Sequence, residues 1–240
     1  MKKILFFIIV LSQLVFPQTR RVSSAWDVYF AAGYGISNTS SLSGYYDYLC
    51  NFYIAHGIPL QTQTKFSKTA ILNAGVMYGF LKDFSAGISL GYMHSPAYTN
   101  YEDDNGTLKI NGSLNIFYIS GMIRYTPYKI FGCPIILRSQ VGICSASSNI
   151  TGQIRFITYA LYNEDWNVSL NDVGIFFQGS IGTSFKFGGF NLGLEAGYAY
   201  SYIKFLPEGV KTKLGVIADP RVVDNGPQTI ILLASVGFQL

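Results

Sequence analysis

Apolar side chains recur at every second position through most of the chain beyond residue 25, the period of a β-strand. The stretch 229–240 shows this plainly. Ile230, Leu232, Ala234, Val236, Phe238 and Leu240 form one apolar face, while the other drifts from Ile231 and Leu233 to Ser235, Gly237 and Gln239. The first such stretch sets Trp26, Val28, Phe30, Ala32, Tyr34 and Ile36 against Asp27, Tyr29, Ala31, Gly33, Gly35 and Ser37. A second, about 69–80, sets Leu72, Ala74, Val76, Tyr78 and Phe80 against Asn73, Gly75, Met77 and Gly79. In a third, Phe84, Ala86, Ile88, Leu90 and Tyr92 oppose Ser85, Gly87, Ser89, Gly91 and Met93.

The fourth, about 108–125, alternates Ile110, Leu114, Ile116, Tyr118 and Met122 with Asn111, Ser113, Asn115, Phe117 and Gly121, the first set being its expected apolar outer face. In the fifth, Ile135, Leu137, Val141 and Ile143 oppose Arg138, Gln140 and Gly142; in the sixth, Val173, Ile175, Phe177, Ile181, Phe185 and Phe187 oppose Gln178, Ser180 and Lys186. Gly188-Gly189 is a hairpin turn, and Leu192, Leu194, Ala196, Tyr198, Tyr200 and Tyr202 then face away from Asn191, Gly193, Glu195 and Ser201. With 229–240 this predicts eight strands. The connections between them alternate: long and polar at 38–66, 96–107, 147–170 and 207–227, short at 81–83, 126–134 and 188–189. The interior of the third long connection, 153–162, has the pattern of a strand extension.

Residues 1–24 read as a signal peptide and short leader, and 25–240 as one β-barrel domain. Lys2 and Lys3 precede the apolar run 4–11, too short to span a membrane as a helix; cleavage before Gln18 or near Ser24-Ala25 fits equally. The net charge of +4 falls to zero without Lys2, Lys3, Arg20 and Arg21, which excludes an electrostatic footprint for nucleic acid. Three cysteines, Cys50, Cys133 and Cys144, make no disulfide framework.

Charged residues are only 12% of the chain and aromatics 16%, against about 25% charged in a soluble domain. A soluble eight-stranded, lipocalin-like ligand binder turns its apolar face inward and solvates its outside with charge. This chain lacks that charge, so the apolar faces are expected to meet lipid and the sheet must close. Aromatic residues gather at the two expected membrane interfaces: Trp26, Tyr78, Phe80, Phe84, Phe185, Phe187, Phe190 and Phe238 at the short-turn ends, and Tyr92, Tyr198, Tyr200 and Tyr202 at the other.

Strand pattern, loop rhythm and the Val236-Gly237-Phe238 ending resemble the small OmpA/OmpX-like outer-membrane β-barrel family, including its Bacteroidota-type members. That resemblance implies an all-β, eight-stranded up-and-down transmembrane barrel of the Gram-negative outer membrane, with both termini periplasmic. It implies Val236, Phe238 and Leu240 as the signal read by the β-barrel assembly machinery. Outer-membrane lipid or lipopolysaccharide and an extracellular or envelope partner would be its other contacts, and the function a structural or surface-interaction one, adhesion included.

Eight strands leave an interior just wide enough for side chains. By strand parity Arg138, Lys186, Glu195, Gln140 and Gln178 form a lumen cluster, with Glu195 expected to pair with Arg138 or Lys186. The tyrosine-rich first loop (Tyr45, Tyr46, Tyr48, Phe52, Tyr53) is the candidate contact surface. A lipid A acyl-chain enzyme would need His, Ser and an acid converging at the outer interface. The chain offers only His56 and His94, and the neighbouring Ser95 falls on the opposite face from His94. No enzymatic activity, cofactor or metal site is therefore expected, and a narrow ion pore stands as the third reading.

Overall fold

The computed structural model describes residues 26–239 apart from 59, 61, 131–132, 158–162, 206–209, 213, 218–222 and 225; the expected signal peptide and Leu240 lie outside the described residues. The barrel strands are β1 (Trp26–Asn38), β2 (Lys68–Leu81), β3 (Phe84–Asp103), β4 (Gly106–Tyr125), β5 (Cys133–Phe156), β6 (Glu164–Phe187), β7 (Phe190–Tyr202) and β8 (Gln228–Gln239). Each pairs antiparallel with its chain neighbour, and β1 also pairs with β8, from Asp27 opposite Gln239 to Asn38 opposite Gln228. The ring is closed, so no strand edge inside it lacks a partner.

An apolar belt surrounds it. Phe30, Ile36, Leu72, Ile88, Ile119, Val141, Ile143, Ile181, Leu194 and Leu232 all point outward and are at least half exposed, or nearly so. Along β1 the belt runs from Trp26 to Ile36; ten steps of ~3.3 Å at a tilt of ~40° rise about 25 Å, the height of a transmembrane barrel's apolar band. At the short-turn end it is bordered by packed aromatics: Trp26 lies 5.0 Å from Tyr78, Phe84 4.3 Å from Tyr125 and Phe190 5.1 Å from Phe238. Gly188, with φ +59°, opens the β6–β7 hairpin turn.

Strand lengths depart from the sequence expectation. β1, β2, β7 and β8 have 13, 14, 13 and 12 residues, but β3 and β4 have 20 each and β5 and β6 have 24 each. Most of 96–107 and 147–170 is therefore strand and not loop. β3 and β4 meet at a tight turn, where the Asp103 carboxylate accepts the Asn105 and Gly106 amides at 2.8 and 3.0 Å. These four strands rise beyond the rim as a wall, the head. The polar outer face of 147–170 imitates a loop in composition while keeping the period of two.

The head also inverts the strand's faces. On β4, Ile110, Leu114, Ile116, Tyr118 and Met122 are buried inside, and the outward apolar residues are Phe117, Ile119 and Ile123. The expected outer face of the fourth strand is its inner one. On β5 and β6, Ile150, Ile154, Trp166, Val168 and Leu170 likewise point in, while Asn149, Thr151, Gln153, Asn167 and Ser169 are exposed.

The first long connection, expected as an exposed loop, contains helix α1 (Ser40–Ala55), which buries Leu42, Tyr45, Tyr46, Leu49, Cys50 and Tyr53. These positions follow i, i+3, i+4, i+7, the stripe of a helix packed on one side. Gly57, at φ +81°, follows the last turn, and the amides of Gly57 and Ile58 return to the carbonyls of Ile54 and Tyr53. α1 seals the head's concave face, forming one continuous apolar core with Phe66, Leu108, Ile110, Ile150, Ile154 and Trp166.

Candidate functional site

Side chains fill the lumen in layers. At the short-turn mouth Arg124 pairs with Asp27 and donates to Ser85 Oγ at 3.1 Å. One layer higher Arg138 Nη2 meets Glu195 Oε1 at 2.8 Å, with both side chains almost wholly buried. Glu195 Oε2 accepts from Ser180 Oγ at 2.7 Å, and the Arg138 guanidinium lies 4.4 Å from the Tyr29 ring centre. A cavity of about 240 Å³ opens beneath this pair toward the mouth. Next, Ser89 and Ser120 both donate to Gln140 Oε1, at 3.0 and 3.1 Å, and Gln140 stands opposite Gln178.

Above these, Tyr118 and Phe176 stack with centres 3.8 Å apart. Tyr118 lies flat on Gly91, where an added Cβ would come 2.0 Å from the ring, so only glycine admits the aromatic layer. The helix-sealed core begins immediately above.

The structure thus brings Arg138, Glu195, Gln140 and Gln178 into adjacent layers. Lys186 shares their parity but is apart from them, exposed near the β6–β7 turn, beyond Thr183, where the pairing of β6 with β5 ends. The tyrosine surface is corrected: Tyr45, Tyr46 and Tyr53 are buried, and Tyr48 and Phe52 pack against the same core. Tyr46 Oη donates to the Ile110 carbonyl at 2.8 Å and shares a hydrogen bond with Thr99 Oγ1 at 2.9 Å, and Trp166 Nε1 donates to Tyr53. Burial raises both tyrosine hydroxyls above their ordinary pKa and pushes the Cys50 thiol up to about 11. The helical stripe within 42–53 was the available signal; the density of tyrosines masked it.

Val236 and Phe238 sit half-buried on the outer face of β8, opposite Phe30 and Val28. His94 and Ser95 diverge: His94 Nδ1 lies 2.8 Å from Asn115 Oδ1 outside, whereas Ser95 Oγ donates inward to the Lys68 carbonyl at 2.9 Å. His56 Nδ1 is 2.7 Å from the Phe52 carbonyl on the helix. The described residues hold no cluster of three or more metal-ligating side chains.

Sequence reading missed the head's outer face. Lys109, Gln153 and Asp165 stand in one cross-strand row of β4, β5 and β6, and Asn111, Thr151 and Asn167 in the next. Together they line a cleft of about 440 Å³. Arg155 Nη2 holds Asp165 at 2.7 Å, which keeps that carboxyl below its usual range. Trp166, on the inner side, closes the back of the cleft by lying over Gly152.

A closed eight-stranded ring with an apolar belt, an aromatic border at its short-turn end and a packed lumen defines a transmembrane β-barrel of the outer-membrane kind. Among solved structures the chain is similar to Neisserial surface protein A, at 14% identity and TM-score 0.45, covering 91% of this chain and 100% of that one. It is also similar to Ail, the attachment invasion locus protein of Yersinia pestis, at 9% identity and TM-score 0.39 over 89% and 98%. A third likeness is to the outer membrane protease OmpT from Escherichia coli, at 7% and 0.31 over 93% and 99%. No family model matches the chain, and no curated protein does. The barrel assignment rests on the ring's own registers and belt.

Proposed function

We propose that the protein is an outer-membrane surface protein, anchored by its barrel with both termini periplasmic, whose projecting head binds an extracellular partner. One observation carries this reading: beyond the membrane the strands continue as an ordered wall whose outer face is rich in amides and hydroxyls, with few charges among them. Asn111, Thr151 and Asn167 present donors and acceptors on a rigid sheet, so little side-chain order is lost on binding. With Asp165 paired to Arg155, Lys109 is the remaining charge lining the cleft, and the amides and hydroxyls around it suit a hydroxyl-rich partner such as an oligosaccharide. The packed lumen favours an anchor over a pore.

The test is adhesion of cells displaying the protein to glycan-coated surfaces. The triple variant Asn111→Lys, Thr151→Lys, Asn167→Lys should bind several-fold less while keeping its heat-dependent mobility on electrophoresis. Undiminished adhesion would remove this face from the role. Protease added to intact cells should cut only in the head if both termini are periplasmic.

A further inference from the structure

The lipid-facing wall is indented. A furrow of about 680 Å³ crosses six strands on the outer surface. It starts between Tyr92 and Phe117, which are opposite each other on β3 and β4, and ends between Leu192 and Val236, opposite each other on β7 and β8. Phe30, Leu72 and Leu90 form its sides. Five strand-to-strand steps of ~4.8 Å make it roughly 24 Å long. Because barrel strands tilt ~40°, a row crossing them climbs about 15 Å of the membrane, half of a hydrocarbon core ~30 Å thick. The furrow therefore has the length and slope for one acyl chain of one leaflet, entering at the head end.

Its upper end is polar and basic. Tyr92 donates to Asn115 Oδ1 at 2.6 Å, and His94 Nδ1 approaches the same oxygen at 2.8 Å. His94 stands opposite Ala70, and Lys68 follows two residues on along the same outward face. Lys68 is exposed and in no ion pair among the described residues. At this level the outward faces of β1–β4 carry Tyr34, Ile36, Ala70, Pro96 and Ser113, and no carboxylate. Uncompensated positive charge directly above an apolar furrow complements a phosphate above an acyl chain.

We propose that this furrow is a binding site for a single membrane lipid of net negative charge, with one acyl chain between Leu72, Leu90 and Phe30 and its phosphate, uncompensated by a cationic headgroup, held by Lys68 and His94. The site depends on the transmembrane assignment and not on the head's partner, so either can fail without the other. A loose annular lipid would sample the whole belt; the combination of length, slope and charge selects one place and one headgroup class.

The test reconstitutes the full protein in bilayers of equal phosphatidylglycerol and phosphatidylcholine with identical chains. Mild detergent extraction follows, and native mass spectrometry counts the retained lipid. One phosphatidylglycerol per barrel should remain, favoured over phosphatidylcholine by about tenfold, the effect of one charge-assisted contact. Lys68→Gln with His94→Gln should bring the two lipids to parity. Ala32→Leu with Ala74→Leu fills the furrow and should abolish retention of both. Heat-dependent mobility verifies that each variant folds; should the furrow-filling pair fail there, the Lys68/His94 pair decides. Equal retention of the two lipids by the unaltered protein would overturn the proposal. So would undiminished preference in the Lys68/His94 variant, or a dimer that the furrow-filling pair dissociates, which would make the furrow a contact between copies.

Discussion

β4, β5 and β6 each pass through two environments, and their two halves are built oppositely. Near the short turns Arg138, Gln140 and Gln178 point inward while Val141, Ile143 and Ile181 point out. Toward the head Ile150, Ile154 and Trp166 point inward while Asn149, Thr151 and Asn167 point out. The backbone geometry and hydrogen-bond registers continue unchanged through the switch; only the surrounding medium differs. In hydrocarbon an outward apolar residue is at no disadvantage, and the barrel's polar groups turn to the lumen. In water the hydrophobic effect returns and the head needs an apolar interior, which α1 completes. The switch marks the membrane boundary on the head side near Asn115, Ser147 and Asn171, neighbours in one cross-strand row.

The two interiors should fail differently. The largest expected effect lies in the membrane half, where Glu195→Ala leaves the Arg138 guanidinium buried without its carboxylate, at a cost of about 3–5 kcal/mol. Replacing both partners together with apolar residues of similar volume should recover most of that loss. Urea unfolding in detergent, followed by tryptophan fluorescence, measures both. A single variant as stable as the parent would mean that the pair at 2.8 Å does not hold the barrel.

Next in size is a contrast along one face of one strand. Val141 and Thr151 both point outward on β5, ten residues apart. Val141→Arg should destabilise by about 2–4 kcal/mol if it lies near the bilayer midplane, whereas Thr151→Arg in the head should cost about nothing. Equal penalties in refolding titrations into lipid vesicles would place the boundary elsewhere and break the two-medium account.

The same contrast explains what the amino-acid sequence alone makes legible. Parity identified the inward Arg138 and Glu195 because one rule, apolar outward, holds throughout the belt. It misplaced Ile110 and Leu114 because the rule reverses where β4 leaves the membrane, and Tyr118 and Met122 because within the membrane both faces of that strand carry apolar residues. The long strands read as loops because Asn, Ser and Thr predominate on a wall that faces water. α1 was hidden for another reason: its spacing of Leu42, Tyr46, Leu49 and Tyr53 is helical, but tyrosine clusters also suit an exposed contact surface, and only packing distinguishes the two.

The smallest effect concerns pH and should be confined to the head. Burial pushes the Cys50 thiol from its ordinary 9.0 to about 11 and raises Tyr46 and Tyr53 above 10.0, so the folded head keeps protons that the unfolded segment releases. The sign follows by linkage: stability from these groups is complete below pH 9 and is lost as pH rises through 11 and beyond. In a Cys133→Ala, Cys144→Ala background, Cys50 is the one thiol. At pH 8 it should react with a thiol reagent far more slowly than in the urea-unfolded chain. Between pH 9 and 11 its labelling should accelerate beyond the reagent's own rise with thiolate, as α1 unseats, while heat-dependent mobility persists because the layers around Arg138 and Gln140 stay packed. Labelling at pH 8 as fast as in the unfolded chain would show that α1 does not seal the head. Loss of the mobility shift together with α1 would show that head and barrel unfold as one unit and not as two differently built halves.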